Sequence, residues 1–182
     1  MIKRIQPGTQ LPEKKNDGHH GRIIEDKYEE LGNVVDREGT LDLPEHGRDI
    51  KSHDINSNAS LSQGSITMED LKTLPWKKTN IYKKVQHQEV VMTNTIFNNI
   101  REVIDTDMTD SEVQRKFEED FECIRHEILK GSSSKDIYGP NRYFVGDRWG
   151  HENSVRIRIP SKAMKEIIGI SRSTINNPNL FE

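Results

Sequence analysis

The sequence predicts an α+β protein with a long extended polar N-terminal arm, a central two-helix hairpin, and a C-terminal β-hairpin with a short helix. Three observations indicate this class. Residues 109–130 place apolar side chains at helical spacing, residues 142–159 include runs with the alternation of strands, and residues 1–65 are poor in apolar side chains. We therefore divide the chain into segments 1–65, 66–130 and 131–182.

The composition indicates that only part of the chain can bury a core. Of the 182 residues, 31% are hydrophobic and 31% are charged, and the mean hydropathy is −0.85. Cys123 is the only cysteine, which excludes an intrachain disulfide. No apolar run approaches the roughly 18 residues of a membrane span, and the N-terminus has no apolar signal-peptide region. We expect no membrane contact and a location in the cytoplasm, or in a particle assembled there.

Residues 1–65 are predicted to form an extended or disordered arm with short docking segments. They are rich in Gly, Asn, Asp and His, and three prolines interrupt them. Within the arm, a short helix over residues 22–31 would place Ile24, Tyr28 and Leu31 on one side. Because so short a helix is marginal in water, we expect these side chains to dock on a partner, with plain disorder as the alternative.

Residues 66–130 are predicted to form a helical hairpin. The first helix runs from Trp76 to about Asp105, and the second covers residues 109–130. In the second helix, apolar residues recur at intervals of three and four, namely Val113, Phe117, Phe121, Ile124 and Ile128. Thr109 is suited to cap its first turn. The connection between the helices is short, so we expect them to be antiparallel neighbours.

Residues 131–182 are predicted to form a basic β-hairpin followed by a short helix. They hold eight Lys and Arg against five Asp and Glu. Strands are expected at residues 142–145 and 155–159, and a helix of about eight residues follows at 162–169. The turn-rich loop between the strands contains Trp149, which would be an interface anchor at the loop tip. Folding back over the hairpin is the alternative.

The stretch over residues 155–176, VRIRIPSKAMKEIIGISRSTIN, combines an alternating strand, a proline, a helix and the element GISRS at 169–173. It resembles the ribbon–helix–helix DNA-binding domains of the Arc and MetJ type, in which such an element opens a second helix. The resemblance implies that Arg156 and Arg158 contact base edges in the major groove. It also implies that backbone N–H groups near Ser171 and Ser173 hold a phosphate at the start of the second helix, and Arg172 between them is a further possible nucleic-acid contact. A local hairpin whose arginines face water is the alternative.

A second basic cluster could bind single-stranded nucleic acid. It combines four lysines with two interleaved aromatic residues: Lys77, Lys78, Lys83 and Lys84 with Trp76 and Tyr82. Aromatic side chains can stack on bases while lysines contact phosphates. The alternative is a solvated helix face whose lysine stems cover apolar surface.

No motif for a catalytic nucleophile, a phosphate-binding loop or a metal cluster stands out, so we predict a non-enzymatic protein without cofactor or metal. We expect a structural or adaptor subunit that docks through its arm into a larger homo- or hetero-oligomeric assembly with other protein subunits. A virion or phage assembly component would be one example. The alternative is a DNA-binding regulatory protein that uses the basic C-terminal strand and helix.

Overall fold

The structure, a computed structural model, describes residues 1–16, 19–148 and 153–176, with side chains described as far as Ser171. This part of the chain is a mixture of α-helices and β-strands, which confirms the α+β class. The helices are α1 (His19–Glu30), α2 (Met68–Thr73), α3 (Asn80–Lys84), α4 (Ser111–Leu129) and α5 (Ser161–Asn176). The strands are β1 (Asp49–Asp54), β2 (Leu61–Thr67), β3 (His87–Asn94), β4 (Asn99–Asp107), β5 (Asp136–Tyr138), β6 (Val145–Asp147) and β7 (Ser154–Ile159).

The chain forms two compact units, and each is discontinuous in sequence. Unit 1 comprises Met1–Asn58 and His87–Asp107, and unit 2 comprises Ala59–Gln86 and Met108–Glu182. None of the described helices is both long enough and apolar enough to cross a membrane.

Unit 1 is a three-stranded sheet in the order β1–β3–β4, with α1 packed against it. β1 is parallel to β3, whereas β3 and β4 are antiparallel. Residues 8–11 run beside the start of β4, where the Leu11 amide donates to the Asn98 carbonyl at 2.7 Å. The core of unit 1 draws on every part of it: Ile5, Leu11, Ile24, Tyr28, Leu43, Ile50, Val91 and Ile100.

The prediction that residues 1–65 form an arm without a core is wrong. Ile5, Leu11 and Leu43 are buried together with two side chains of α1. This segment is poor in apolar residues, but β3 and β4 contribute the remainder of the core from residues 87–107. A core assembled from two distant stretches is not visible in the composition of either one.

The predicted helix over residues 76–105 is also wrong. Trp76–Lys78 forms a 3₁₀ turn, α3 follows it, and β3 and β4 occupy most of the remainder. The apolar residues of this stretch are mainly β-branched, and such side chains fit a strand better than a helix. Asn98 adopts a φ of 48° between the two strands, a conformation that asparagine tolerates in turns.

Unit 2 is an antiparallel sheet in the order β2–β7–β6–β5, and the apolar side of α4 belongs to its core. The α4 helix confirms the helical prediction for residues 109–130. Its N-cap is Asp110 rather than Thr109, because Asp110 Oδ1 accepts hydrogen bonds from the amides of Glu112 and Val113. Aromatic rings fill the centre: Phe117 stacks on Phe144 with centroids 4.5 Å apart.

The C-terminal β-hairpin is present, with β6 and β7 paired antiparallel, but its first strand begins at Val145 rather than Arg142. Arg142 has a φ of 57°, which is incompatible with a strand. The final helix extends well beyond the eight residues predicted. Ile167, Ile168 and Ser171 are buried, so the helix keeps an inward-facing side past Gly169.

Candidate functional site

A tight turn in unit 1 brings together two aspartates that are seven positions apart in the sequence. Leu43 and Arg48 pair as an antiparallel bridge, with N–O distances of 2.9 and 3.2 Å. Pro44–His46 forms a 3₁₀ turn between them, and Gly47 closes it at a φ of 62°. The turn therefore places Asp42, just before the bridge, beside Asp49, just after it.

The two carboxyl groups interact directly and lie out of water. Asp49 is 0% exposed and Asp42 is half-buried. Asp42 Oδ2 accepts a hydrogen bond of 2.8 Å from the Ile50 amide. Burial raises the pKa of Asp42 to about 7, and both a hydrogen bond to Asp49 and the charge of Asp49 act in the same direction. One carboxyl of the pair thus tends to retain a proton near neutral pH.

Lys51 completes the cluster from the same face of β1. Residues two apart on a strand point to the same side, and Lys51 Nζ lies 2.5 Å from Asp49 Oδ2. Asp49 is therefore a fully buried carboxylate held between the Lys51 ammonium group and the Asp42 carboxyl group.

A third carboxyl, Glu25 on α1, lies within electrostatic range of Lys51. Burial raises the pKa of Glu25, while the charges of Arg37 and Lys51 lower it. Arg37 Nε is 3.5 Å from Glu25 Oε2. We call Asp42, Asp49, Lys51 and Glu25 the acidic site.

A network of arginines and carboxylates anchors the turn that forms the acidic site. Arg4 makes two hydrogen bonds of 2.8 Å to the buried carboxylate of Glu89, and a third of 2.9 Å to Asp105. Arg48, at the end of the turn, also donates to Asp105. Tyr28 reaches Glu89 from α1 at 3.3 Å. Because Glu89 is the register partner of Ile50, this network holds β1, β3 and the turn in a fixed relation.

The acidic site has the donor chemistry of a magnesium site. Mg²⁺ prefers carboxylate and water oxygens, and one or two protein carboxylates plus substrate phosphates commonly bind it. In the described ranges, no group of three or more His, Cys, Asp and Glu side chains is arranged to hold a metal ion. A cation at Asp42 and Asp49 would therefore have two carboxylate ligands and leave its other positions to water and substrate.

The docking residues predicted from the sequence are placed differently from what we expected. Ile24 and Tyr28 are 0% exposed in the core of unit 1, so neither is available to a partner. They are buried because α1 turns this side toward the sheet. Leu31 is 38% exposed. Trp149 lies outside the described residues.

The arginines of β7 are occupied by acidic partners. Arg156 Nε is 3.1 Å from Asp147, and Arg158 contacts both Asp147 and Asp136 at 2.8 Å. β7 is an inner strand, between β2 and β6. A base edge would have to displace these ion pairs before either arginine could read it.

The element GISRS does not begin a helix, because residues 169–173 lie inside α5. The resemblance to ribbon–helix–helix domains implies two helices within residues 155–176. In this stretch the structure has one helix, α5. Ser171 is buried in the interior of α5, so its backbone N–H does not lie at a helix start, and its Oγ donates to the Ile167 carbonyl at 3.1 Å. Arg172 and Ser173 belong to α5, and their side chains lie outside the described part.

The lysine cluster predicted from the sequence exposes most of its lysines but buries its tryptophan. Lys77, Lys78 and Lys83 are exposed and Lys84 is half-buried. Trp76, however, is only 3% exposed and lies 4.9 Å from the Phe121 ring, centroid to centroid. The indole is part of the core of unit 2 and cannot stack on a base.

Sequence reasoning missed the acidic site altogether. A signal existed, since Asp49, Lys51 and His53 alternate with Ile50 and Ser52 in the manner of a strand. Within a segment that the composition predicts to be an arm, isolated charges carry no information. No protein-family model matches this sequence, and a search of curated proteins returned no match.

Proposed function

We propose that unit 1 binds Mg²⁺ at Asp42 and Asp49 and hydrolyses phosphodiester bonds, with nucleic acid as the substrate. One observation carries the proposal: Asp49 is fully buried beside a second carboxyl, Asp42, and a single lysine, Lys51. Two carboxyl groups held together away from water repel each other when both are ionised, and Lys51 compensates only one of the two charges. A bound cation would compensate the other.

The residues support a division of roles during hydrolysis. Asp42 and Asp49 would supply the carboxylate oxygens, and the cation would supply Lewis acidity that lowers the pKa of a bound water. Lys51 would offset negative charge as it develops on the phosphate, since an ammonium group binds phosphate as a compact charge. Water attacks phosphorus, one P–O ester bond breaks, and the proton passes to the departing oxygen through solvent.

Nucleic acid is the substrate class that best suits the rest of the chain. Mg²⁺ held by two carboxylates is typically completed by phosphate oxygens, which selects a phosphate ester. Unit 2, taken by itself, carries exposed positive charge at Lys77, Lys78 and Lys83, and such a surface suits a polyanion whatever its position relative to unit 1. The nucleic-acid partner considered from the sequence is therefore retained, but as a substrate.

The assembly role predicted from the sequence stays a prediction. It depended on an arm that would gain order only from partners, whereas residues 1–58 belong to a unit with its own core. The DNA-binding regulatory role also stays a prediction. Arg156 and Arg158 form ion pairs with Asp147 and Asp136, and this pairing disfavours contacts between these side chains and base edges.

A cleavage assay tests the proposal. Supercoiled and linear duplex DNA, single-stranded DNA and RNA would be incubated with the protein, with and without Mg²⁺. We expect cleavage that requires the cation and falls at least 100-fold in Asp49→Asn and in Lys51→Met. Asp107→Asn is the matched control, because Asp107 is an exposed aspartate of the same unit; it should cleave like the wild type.

Two results would contradict the proposal. One is the absence of Mg²⁺-dependent cleavage on all four substrates. The other is cleavage that survives in Asp49→Asn, which would identify a contaminating nuclease or another site.

A further inference from the structure

The excess positive charge of unit 2 is concentrated in one short stretch of the chain. Unit 2 contains 17 Lys and Arg against 14 Asp and Glu, whereas unit 1 contains 10 against 16. Residues 59–86 account for the whole excess, with five lysines against two carboxylates. All five lysines lie in residues 71–86, which contain no Asp or Glu. This stretch is therefore the part of unit 2 that is best suited to attract an anion.

Four of these five lysines are exposed, and among the residues described none of the four side chains forms an ion pair or a hydrogen bond: Lys72, Lys77, Lys78 and Lys83. We call these four residues the lysine surface. Lys84 is half-buried and lies over β2, since a Cβ on Gly64 would be 3.3 Å from its Nζ. Lys116 and Lys130 of α4, by contrast, pair with glutamates. An anion can therefore bind the lysine surface without first breaking an ion pair.

The backbone that carries the lysine surface is held in place by hydrogen bonds. Three of the four lysines belong to the Trp76–Lys78 turn and to α3. Thr79, between these two elements, donates from Oγ1 to the Trp76 carbonyl at 2.8 Å and accepts from the Tyr82 amide at 3.1 Å. Asn80 Nδ2 donates to the Ser65 carbonyl of β2 at 2.9 Å. Binding would therefore order lysine side chains but not the backbone beneath them.

The lysine surface offers charge without an apolar or aromatic contact. Among the described residues, the exposed large apolar side chains all lie outside residues 59–86. Trp76 is buried, and the half-buried Tyr82 meets it edge to face, with centroids 5.4 Å apart. Stable attachment to a membrane commonly adds an apolar anchor to the charge, and single-strand binding commonly adds aromatic rings that stack on bases. The phosphate backbone of a duplex requires neither.

We propose that the lysine surface binds the phosphate backbone of a nucleic-acid duplex, without metal and without sequence preference. This surface belongs to unit 2 and uses neither the carboxylates nor the cation of the acidic site, so it goes beyond the hydrolytic function proposed above. A B-DNA duplex carries one negative charge per roughly 1.7 Å of its axis, twice the density of a single strand. Lysines that neutralise these phosphates release condensed counterions, which drives binding at low salt.

Binding of a fluorescent DNA duplex of about 20 base pairs, measured in EDTA over a series of NaCl concentrations, tests the proposal. For four phosphate contacts, log K should fall against log[NaCl] with a slope of about −3.6, and each single Lys→Gln change should reduce this slope by about 0.9. The quadruple Lys→Gln variant of the lysine surface should bind roughly 10-fold more weakly or worse at low salt. The quadruple Lys→Arg variant should bind like the wild type, because it keeps the charges.

The matched control removes four other exposed lysines of unit 2, namely Lys130, Lys135, Lys162 and Lys165, as Lys→Gln changes. It has the same net charge as the quadruple variant of the lysine surface and should keep the wild-type slope. Thermal melts would show that both quadruple variants remain folded. The single strand, and vesicles of anionic lipid, should bind the wild type more weakly than the duplex does.

Duplex binding and the acidic site can fail separately. Asp49→Asn should bind the duplex in EDTA as tightly as the wild type, because the lysine surface requires no metal. The quadruple Lys→Gln variant, in turn, should keep any rise in melting temperature that Mg²⁺ produces in the wild type. Duplex binding without Mg²⁺-dependent cleavage would contradict the hydrolytic function alone.

Three outcomes would overturn the lysine surface. One is a wild type without affinity for the duplex at low salt. Another is a salt slope that is the same in the wild type and in the quadruple Lys→Gln variant, or that falls equally in the control. The last is tighter binding to anionic vesicles than to the duplex, lost in the same variant, which would assign these lysines to a membrane surface.

Discussion

Lys51 and Asp49 occupy the same face of β1, and the ammonium nitrogen of Lys51 lies 2.5 Å from Oδ2 of Asp49. Their pairing follows from the two-residue period of a strand. The pair becomes a candidate site only because the Leu43–Arg48 turn adds Asp42 on the other side of Asp49. One lysine then faces two carboxyl groups, so one negative charge is left without compensation when both carboxyl groups are ionised.

Replacement of Asp42 by asparagine should stabilise the protein at alkaline pH in the absence of metal. The pKa of Asp42 is about 7 in the folded protein, against an ordinary value of 3.8. The stability from this group is fully present below pH 3.8 and declines as the pH rises through 7, because the folded protein holds the proton more tightly. Water reaches this half-buried carboxyl, so we expect a gain on the order of 1 kcal/mol at pH 8, or about 2–4 °C.

Thermal melts of wild type and Asp42→Asn in EDTA, at pH 5 and pH 8, measure this effect. The difference between the two proteins should be larger at pH 8. An equal difference at both pH values would mean that Asp42 titrates like an ordinary aspartate.

Magnesium should stabilise the wild type and leave Asp49→Asn unchanged. A ligand that binds only the folded state adds about 2.7 kcal/mol at a concentration 100 times its Kd. Melting temperatures would be measured over a Mg²⁺ titration, at constant ionic strength maintained with NaCl. Asp107→Asn should respond like the wild type. A rise of equal size in Asp49→Asn would place the bound cation elsewhere in the molecule.

Phe121→Ala should strongly destabilise unit 2. Phe121 is fully buried on α4 and packs against Trp76, with ring centroids 4.9 Å apart. Removal of a buried phenyl ring typically costs roughly 3–5 kcal/mol. Urea denaturation followed by tryptophan fluorescence would measure it, with Leu129→Ala as the exposed control on the same helix. A loss below about 1 kcal/mol would show that the cavity collapses or that the ring is not packed as described.

Asp120→Ala should destabilise unit 2 about as strongly as Phe121→Ala, because it leaves buried hydrogen-bond donors without an acceptor. Asp120 is fully buried, and its carboxylate accepts hydrogen bonds from the backbone amides of Asn141, Tyr143 and Phe144, at 2.6 to 2.9 Å. Each buried donor left without a partner costs about 1–3 kcal/mol, so we expect a loss of roughly 3 kcal/mol or more. The equilibrium stability would be measured by urea denaturation. Asp120→Asn keeps one acceptor oxygen and should lose less, and equal losses would mean that the amides find other partners.

The loop whose backbone amides bind Asp120 also requires glycine at position 139. A Cβ on Gly139 would lie 2.0 Å from Asp120 Cγ, so the loop passes too close to the carboxylate for any other residue. Gly139→Ala should therefore reproduce much of the loss seen in Asp120→Ala. The clash should persist in the Asp120→Ala background, because the Cβ that alanine keeps would lie 2.2 Å from the new Cβ. The double variant should therefore be less stable than Asp120→Ala alone, and equal stabilities would contradict this close approach.

The sequence predicted those helices and strands whose apolar residues recur at the spacing of the element itself. The apolar spacing from Val113 to Ile128 predicts α4, and the alternation from Val155 to Ile159 predicts β7, because each element buries one side of itself. The same reasoning failed over residues 90–104. Their apolar residues fit a helical stripe, yet their β-branched side chains fill the core of unit 1 as two paired strands.

The acidic site depended on tertiary structure. The order Asp42, Asp49, Lys51 is present in the sequence, but charges in a polar segment look alike whether they are solvated or buried. Asp49 is excluded from water because α1, β1 and β3 pack together. Asp42 lies beside it because the turn from Leu43 to Arg48 reverses the chain. Burial and the proximity of like charges set the pKa of such a carboxyl, and both are properties of residues distant in the chain.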